Sequence, residues 1–102
     1  MNKKKLDELY EIIYLATHPV RLKILFRLES NRSYASKLEM MLKVDRKIIS
    51  FHLSKLEKAA LVTSEYGLLT LKTRPMAVRY YSLTIEGQKM VKNLRSILPD
   101  LL

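Results

Sequence analysis

The stretch from Ser33 to Val62, SYASKLEMMLKVDRKIISFHLSKLEKAALV, constrains the fold more than any other part of the chain. It reads as two helices joined by a tight turn at Lys43-Val44. Ser33 is placed to cap the first helix, which runs to about Leu42. Asp45 is placed to cap the second, Arg46 to about Ala60, because its carboxylate can accept the free N–H groups of the first turn. Val44 and Ile49 are spaced to close over that helix start as a hydrophobic staple. At 100° per residue, Ile49, Leu53, Leu56 and Ala60 share one stripe, with Ile48, His52 and Ala59 at its edge. Arg46, Lys47, Ser50, Phe51, Ser54, Lys55 and Lys58 share the other.

That outer face carries three lysines and an arginine with two serines between them. An ordinary solvated face looks similar. The pattern also suits a DNA groove, where cations neutralise phosphates and small hydroxyls let a helix approach base edges. Phe51 stands among the lysines, where a large ring is otherwise avoided. It can pack on a thymine methyl or a sugar, or cover a neighbouring element or a dimer partner.

The net charge of +9 on 102 residues favours a polyanionic partner. Between Lys43 and Arg79 eight basic residues stand against three acidic ones, so more than half of the charge lies in 37 residues. The length leaves room for one domain, 1–102, with a modest core that dimerisation would help. With no cysteine there is no disulfide, thiolate metal site or thiol switch. Two histidines make a multi-histidine zinc site in one chain improbable. Asp7, Glu8 and Glu11 interrupt any signal-peptide core, and the Ile12–Ala16 apolar run is too short to span a bilayer. A soluble cytoplasmic protein, without membrane, metal or other cofactor, is the expectation. No Gly-rich phosphate loop, nucleophile elbow or catalytic carboxylate pair is evident, so an enzyme is not expected.

Around the central unit the chain reads as follows. Residues 1–17 hold a helix, from Lys3, with Leu6, Leu9, Tyr10, Ile13 and Ala16 at helical spacing and Ile12 and Leu15 on a second side. Two apolar faces ask for two partners, its own domain and a second subunit. Lys3, Lys4 and Lys5 are a short basic start, most simply solvated. His18-Pro19 opens the next helix, to Glu29, with His18 as a local cap or packing residue. Residues 61–83 read as a hairpin, strands Leu61–Thr73 and Met76–Leu83, with Lys72-Thr73-Arg74-Pro75 as the best turn and Gly67 as a possible bulge. Lys72 and Arg74 at such a tip would clamp phosphates or enter the minor groove. Thr84 caps a last helix, 84–98, stopped by Pro99. Met90, Val91, Leu94, Ile97 and Leu98 form its stripe. With Leu6, Leu9 and Ile13, the residues Met90, Leu94, Ile97 and Leu98 are the expected dimer seam.

The order is helix, helix, two-helix unit, hairpin, helix: mainly α with a small β-hairpin (α+β). It resembles the winged helix–turn–helix of ArsR-like transcriptional regulators, particularly short archaeal members. Ala16-Thr17-His18-Pro19-Val20-Arg21-Leu22-Lys23-Ile24-Leu25 is similar to that family's A-x-x-H-P-x-R-L-x-I-L opening. Ile49–Leu56 is similar to its V-S-x-H-L-x-x-L recognition helix. Ala59-Ala60-Leu61-Val62 is similar to the A-G-L-V entering the wing, and Tyr81–Gly87 to the Y-x-L-T-x-x-G leaving it. The resemblance implies that Arg46, Lys47, Ser50, Phe51 and Ser54 face the major groove. It implies that the wing from about Lys72 to Arg79 meets the backbone or minor groove, and that His52 is a packing residue. Lys43 and Ala60 stand where the family has Gly, at a cost of about 1 kcal/mol each if those positions need positive φ. The family's metal sensors use cysteines in the first helix of the two-helix unit, or acidic and histidine ligands in the last helix. Neither set is present here.

The resulting expectation is a homodimeric, sequence-specific regulator of double-stranded DNA, a repressor in the simplest mechanism. The alternatives are a winged-helix protein-interaction module and a sequence-independent DNA-compacting protein. Affinity for duplex DNA, and its dependence on sequence and salt, discriminates among the three.

Overall fold

The computed structural model describes residues 3–97, which form five helices and one antiparallel hairpin. These are α1 (Lys3–Ala16), α2 (Pro19–Ser30), α3 (Ala35–Leu42), α4 (Arg46–Lys58), β1 (Val62–Leu71), β2 (Arg74–Leu83) and α5 (Ile85–Ile97). The arrangement is the expected one, a mainly helical winged helix–turn–helix.

Local chemistry accounts for most of the boundaries. His18 opens α2 through its Nδ1, which accepts from the Val20 N–H at 3.2 Å, and Pro19 fills the first helical position. Asp45 opens α4, its carboxylate accepting from the Lys47 N–H at 3.0 Å. Thr84 opens α5, its hydroxyl accepting from the Gly87 N–H at 2.9 Å. The same hydroxyl donates to the Ala60 carbonyl at 2.7 Å, and this ties α5 to the exit of α4.

Ser33 does not cap α3. The N-cap is Tyr34, without a side-chain bond. Ser33 pairs instead with Tyr81, through N–H to carbonyl bonds of 3.0 and 2.7 Å, and so adds a short third strand contact beside β2. The helix starts at Ala35, so Ser33 stands one residue before the N-cap position, and its buried hydroxyl has no partner among the described residues.

The exit of α4 is a Schellman motif. The Ala60 N–H donates to Glu57 O and the Leu61 N–H to Leu56 O, both at 3.0 Å. Ala60 has φ 62° and Lys43, at the α3 exit, φ 55°, so both positions where the family has Gly are left-handed here. Each carries the cost of about 1–2 kcal/mol that a side chain incurs in that region. Gly87 answers a different need. A Cβ there would lie 2.1 Å from the Leu61 carbonyl oxygen, so the helix start can approach this turn only without a side chain.

Ile24, Leu25 and Leu28 of α2, Leu38 of α3, and Ile49, Leu53 and Leu56 of α4 form the centre of the core. Leu61, Val62, Leu83, Val91 and Leu94 close it from the hairpin and α5. Leu94 is 6% exposed and Met90 packs against the same cluster. Of the expected dimer seam, Leu94 is therefore buried in the chain's own core and Met90 is half-buried against it, because α5 turns its stripe inward over α2. On α1, Leu6 (55% exposed) and Ile13 (44%) remain open, with Tyr10 and Tyr14 stacked beside them at 6.3 Å. The expected seam residues Leu9 and Ile97, by their side chains, and Leu98 and the Pro99 stop lie outside what is described.

The hairpin is regular from Val62↔Leu83 to Leu71↔Arg74. The loop is therefore Lys72-Thr73 alone, and Arg74 and Pro75 belong to β2. Gly67 makes no bulge. It pairs with Val78, and an added Cβ would lie 3.0 Å from two carbons of the Tyr80 ring. The glycine gives room to that ring, which packs edge-on to Tyr34 and under the Arg32 guanidinium.

Candidate nucleic-acid interface

Helix α4 is amphipathic in the way its sequence requires. Ile49, Leu53 and Leu56 are fully buried, and His52 is 6% exposed. With that face anchored on α2 and α3, Arg46, Lys47, Ser50, Phe51, Ser54, Lys55 and Lys58 are all exposed. They recur every three to four residues, so they line one outer face along the whole helix. Lys72, Arg74 and Arg79 of the hairpin are exposed too.

Two of these ten residues, Arg46 and Arg79, are held by carboxylates. Arg46 donates from Nε and Nη2 to Glu39 Oε1 at 3.2 Å, and its backbone N–H donates to Glu39 Oε2 at 2.9 Å. Glu39 thus fastens α3 to the first turn of α4. Arg79 donates from Nη2 to Glu57 Oε1 at 3.0 Å and from Nε to the Ser64 hydroxyl at 2.8 Å. Ser64 in turn donates to Glu57 Oε2 at 2.6 Å. This triad joins α4 to both strands and sets the angle of the hairpin beside the helix. Exposed pairs of this kind contribute up to about 1 kcal/mol each. Their use here is geometric, since each links two elements of the candidate face. Glu39, Glu57 and Ser64 were not expected at the site. Glu39 and Arg46 are seven residues apart and Glu57 and Arg79 are 22 apart, separations at which no local rule pairs side chains.

Phe51 is 56% exposed. Its ring meets His52 edge-on at 5.2 Å, and Lys55 Nζ lies 5.4 Å from its centre. The ring stands largely open beside Lys55. His52 packs against His18 with ring centroids 4.4 Å apart. Burial lowers the His52 pKa below its usual 6.5, and the His18 and Arg21 charges push it the same way. His52 therefore belongs to the support of α4.

Residues 18–64 match the family model described as bacterial regulatory protein, arsR family. The match runs from the cap of α2 through α4 into β1. Among solved structures, HlyU from Vibrio cholerae N16961 is similar with TM-score 0.75 and 20% identity, covering 97% of this chain and 100% of that one. The transcriptional repressor BigR from Xylella fastidiosa has TM-score 0.75 and 21% identity, over 97% and 91%. The homodimeric winged helix–turn–helix DNA-binding domain Mb0332 from Mycobacterium bovis, a possible ArsR-family regulator, has TM-score 0.74 and 15% identity, over 99% and 90%. No relative was found among curated proteins. At such identities the likenesses establish the fold.

Among the described residues no group of three or more His, Asp or Glu side chains could hold a metal ion, and no helix is long and apolar enough to cross a membrane.

Proposed function

We propose that this chain is an ArsR-type regulator of transcription that binds double-stranded DNA as a homodimer, with 1–102 as one DNA-binding domain. The observation that carries the reading is the outer face of α4. It is exposed from Arg46 to Lys58, rich in cations and small hydroxyls, and held rigidly by a buried inner face. The arsR match over the unit containing α4 supports it. Lys47, Ser50, Phe51 and Ser54 read base edges and thymine methyls, while Lys55, Lys58, Lys72 and Arg74 neutralise phosphates. Arg46 and Arg79 reach phosphate while held by Glu39 and Glu57.

The dimer forms through the open face of α1, Leu6, Tyr10, Ile13 and Tyr14, rather than through Leu94. Two copies present two α4 helices to successive major grooves, about 34 Å apart, on a roughly palindromic site. Repression by occlusion of a promoter is the simplest consequence. The double variant Lys47→Ala/Ser50→Ala tests the reading. In a selection from random duplexes it relaxes base preference while the circular dichroism spectrum is unchanged. An unchanged preferred site would remove α4 from the recognition role.

A further inference from the structure

The outer half of the hairpin is unusual for a solvent-exposed element. Leu68 is 74% exposed, Leu71 51% and Met76 50%. Leu69 pairs with Met76 and Leu71 with Arg74, so Leu69, Leu71, Arg74 and Met76 share one face at the tip. A two-stranded ribbon with open apolar faces is marginal in water without a partner.

The chemistry of the tip selects that partner. From Tyr66 to Ile85 there is no carboxylate, while Lys72, Arg74 and Arg79 are cations. A second copy of a chain carrying +9 would meet this surface with charge of the same sign. A polyanion would not. The Arg79–Glu57–Ser64 triad fastens the base of the hairpin beside α4, on the ribbon face opposite to Leu71 and Met76, and leaves the tip projecting beyond that helix. Its loop is only two residues, with Lys72 at φ 57°, a conformation that Gly adopts without strain and Lys does not. Strain of this kind is retained where the side chain is needed. The minor groove, about 6 Å wide, admits a narrow tip and not a whole ribbon.

We infer that the hairpin tip is a hydrophobic wedge. Leu71 and Met76 insert at a base step in the minor groove, with Lys72 and Arg74 on the flanking phosphates, so the protein bends the DNA it binds. The inference rests on the DNA-binding reading and adds a deformation to it. Unstacking is easiest at pyrimidine–purine steps, so TA and CA steps near the edges of a site are favoured without base contacts.

The test is resonance energy transfer between the ends of a 30-base-pair duplex of mixed sequence containing TA steps. The intact protein is compared with Leu71→Ser/Met76→Ser and with Lys72→Ala/Arg74→Ala. Both sites are exposed, and thermal melts check that the variants fold. Wild type raises the transfer at saturation. The serine variant binds with an unchanged salt slope but leaves the duplex straight. The alanine variant, lacking two cations in each copy of the dimer, loses about 3.6 from the slope of log K against log salt. Binding by wild type without a change in transfer, or equal bending by the serine variant, overturns the wedge and leaves the DNA-binding reading intact. Absence of wild-type binding at low salt overturns both. Weaker self-association of the serine variant with unchanged bending would assign the tip to a second copy and also overturn the wedge.

Discussion

Ala60→Gly should stabilise the protein, and the size of the effect follows from the turn it occupies. Ala60 sits at φ 62° in the Schellman motif that ends α4, with its methyl exposed. A side chain in the left-handed region costs about 1–2 kcal/mol. Glycine removes that cost and returns about 0.5–1 kcal/mol through its freer unfolded chain. The net gain is about 0.5–1 kcal/mol. For a domain near this size it raises Tm by about 2–8 °C. Differential scanning calorimetry at one protein concentration measures it. Two neighbours give the sign its meaning. Ala59, at φ −83°, is right-handed, so Ala59→Gly should lower Tm. Ala60→Val puts a branched Cβ in the left-handed region and should lower it further. A decrease for Ala60→Gly would refute the left-handed turn, and with it the geometry that launches the hairpin from α4.

Leu94→Ala should cost about 2–5 kcal/mol in urea denaturation at every protein concentration, because Leu94 is buried in the chain's own core. Ile13→Glu, on the open face of α1, should shift sedimentation towards monomer and lower stability only by the concentration-dependent part that dimerisation contributes; the opposite pattern would return the seam to α5. Stability should fall as pH drops below about 6.5. His52 is held neutral in the folded state by burial, whereas the unfolded chain takes up a proton near its usual value. The loss is expected to be smaller in His52→Gln, and an equal slope in both proteins would place the effect elsewhere. Gly87→Ala should destabilise strongly, because its methyl would meet the Leu61 carbonyl; a near-neutral melt would contradict the close approach.

What could be read from residues alone was what short-range chemistry decides. Asp45, His18 and Thr84 cap helices from two or three residues away, and each does so in the structure. The faces of α4 follow from its period. The sequence places the turn at Lys72-Thr73-Arg74-Pro75, and the structure narrows it to Lys72-Thr73. What escaped depends on residues distant in sequence. Ser33 looks like a cap until Tyr81 takes its backbone. Gly67 looks like a bulge until Tyr80 is seen to need its space. The α5 stripe suits a dimer seam or an inner core equally well, and only its packing over α2 decides for Leu94. The carboxylates that hold Arg46 and Arg79 come from other elements, so the candidate face could be listed by residue but not by its supports.

The most direct measurement is fluorescence anisotropy of the purified protein on a random duplex of about 30 base pairs, titrated at several salt concentrations. Log K should fall linearly with log salt, with a slope of magnitude about 0.9 for each phosphate neutralised. The six cations assigned to phosphate in each copy, Arg46, Lys55, Lys58, Lys72, Arg74 and Arg79, doubled in a dimer, correspond to a slope of about −11. Failure to bind even at low salt would contradict the DNA-binding reading itself.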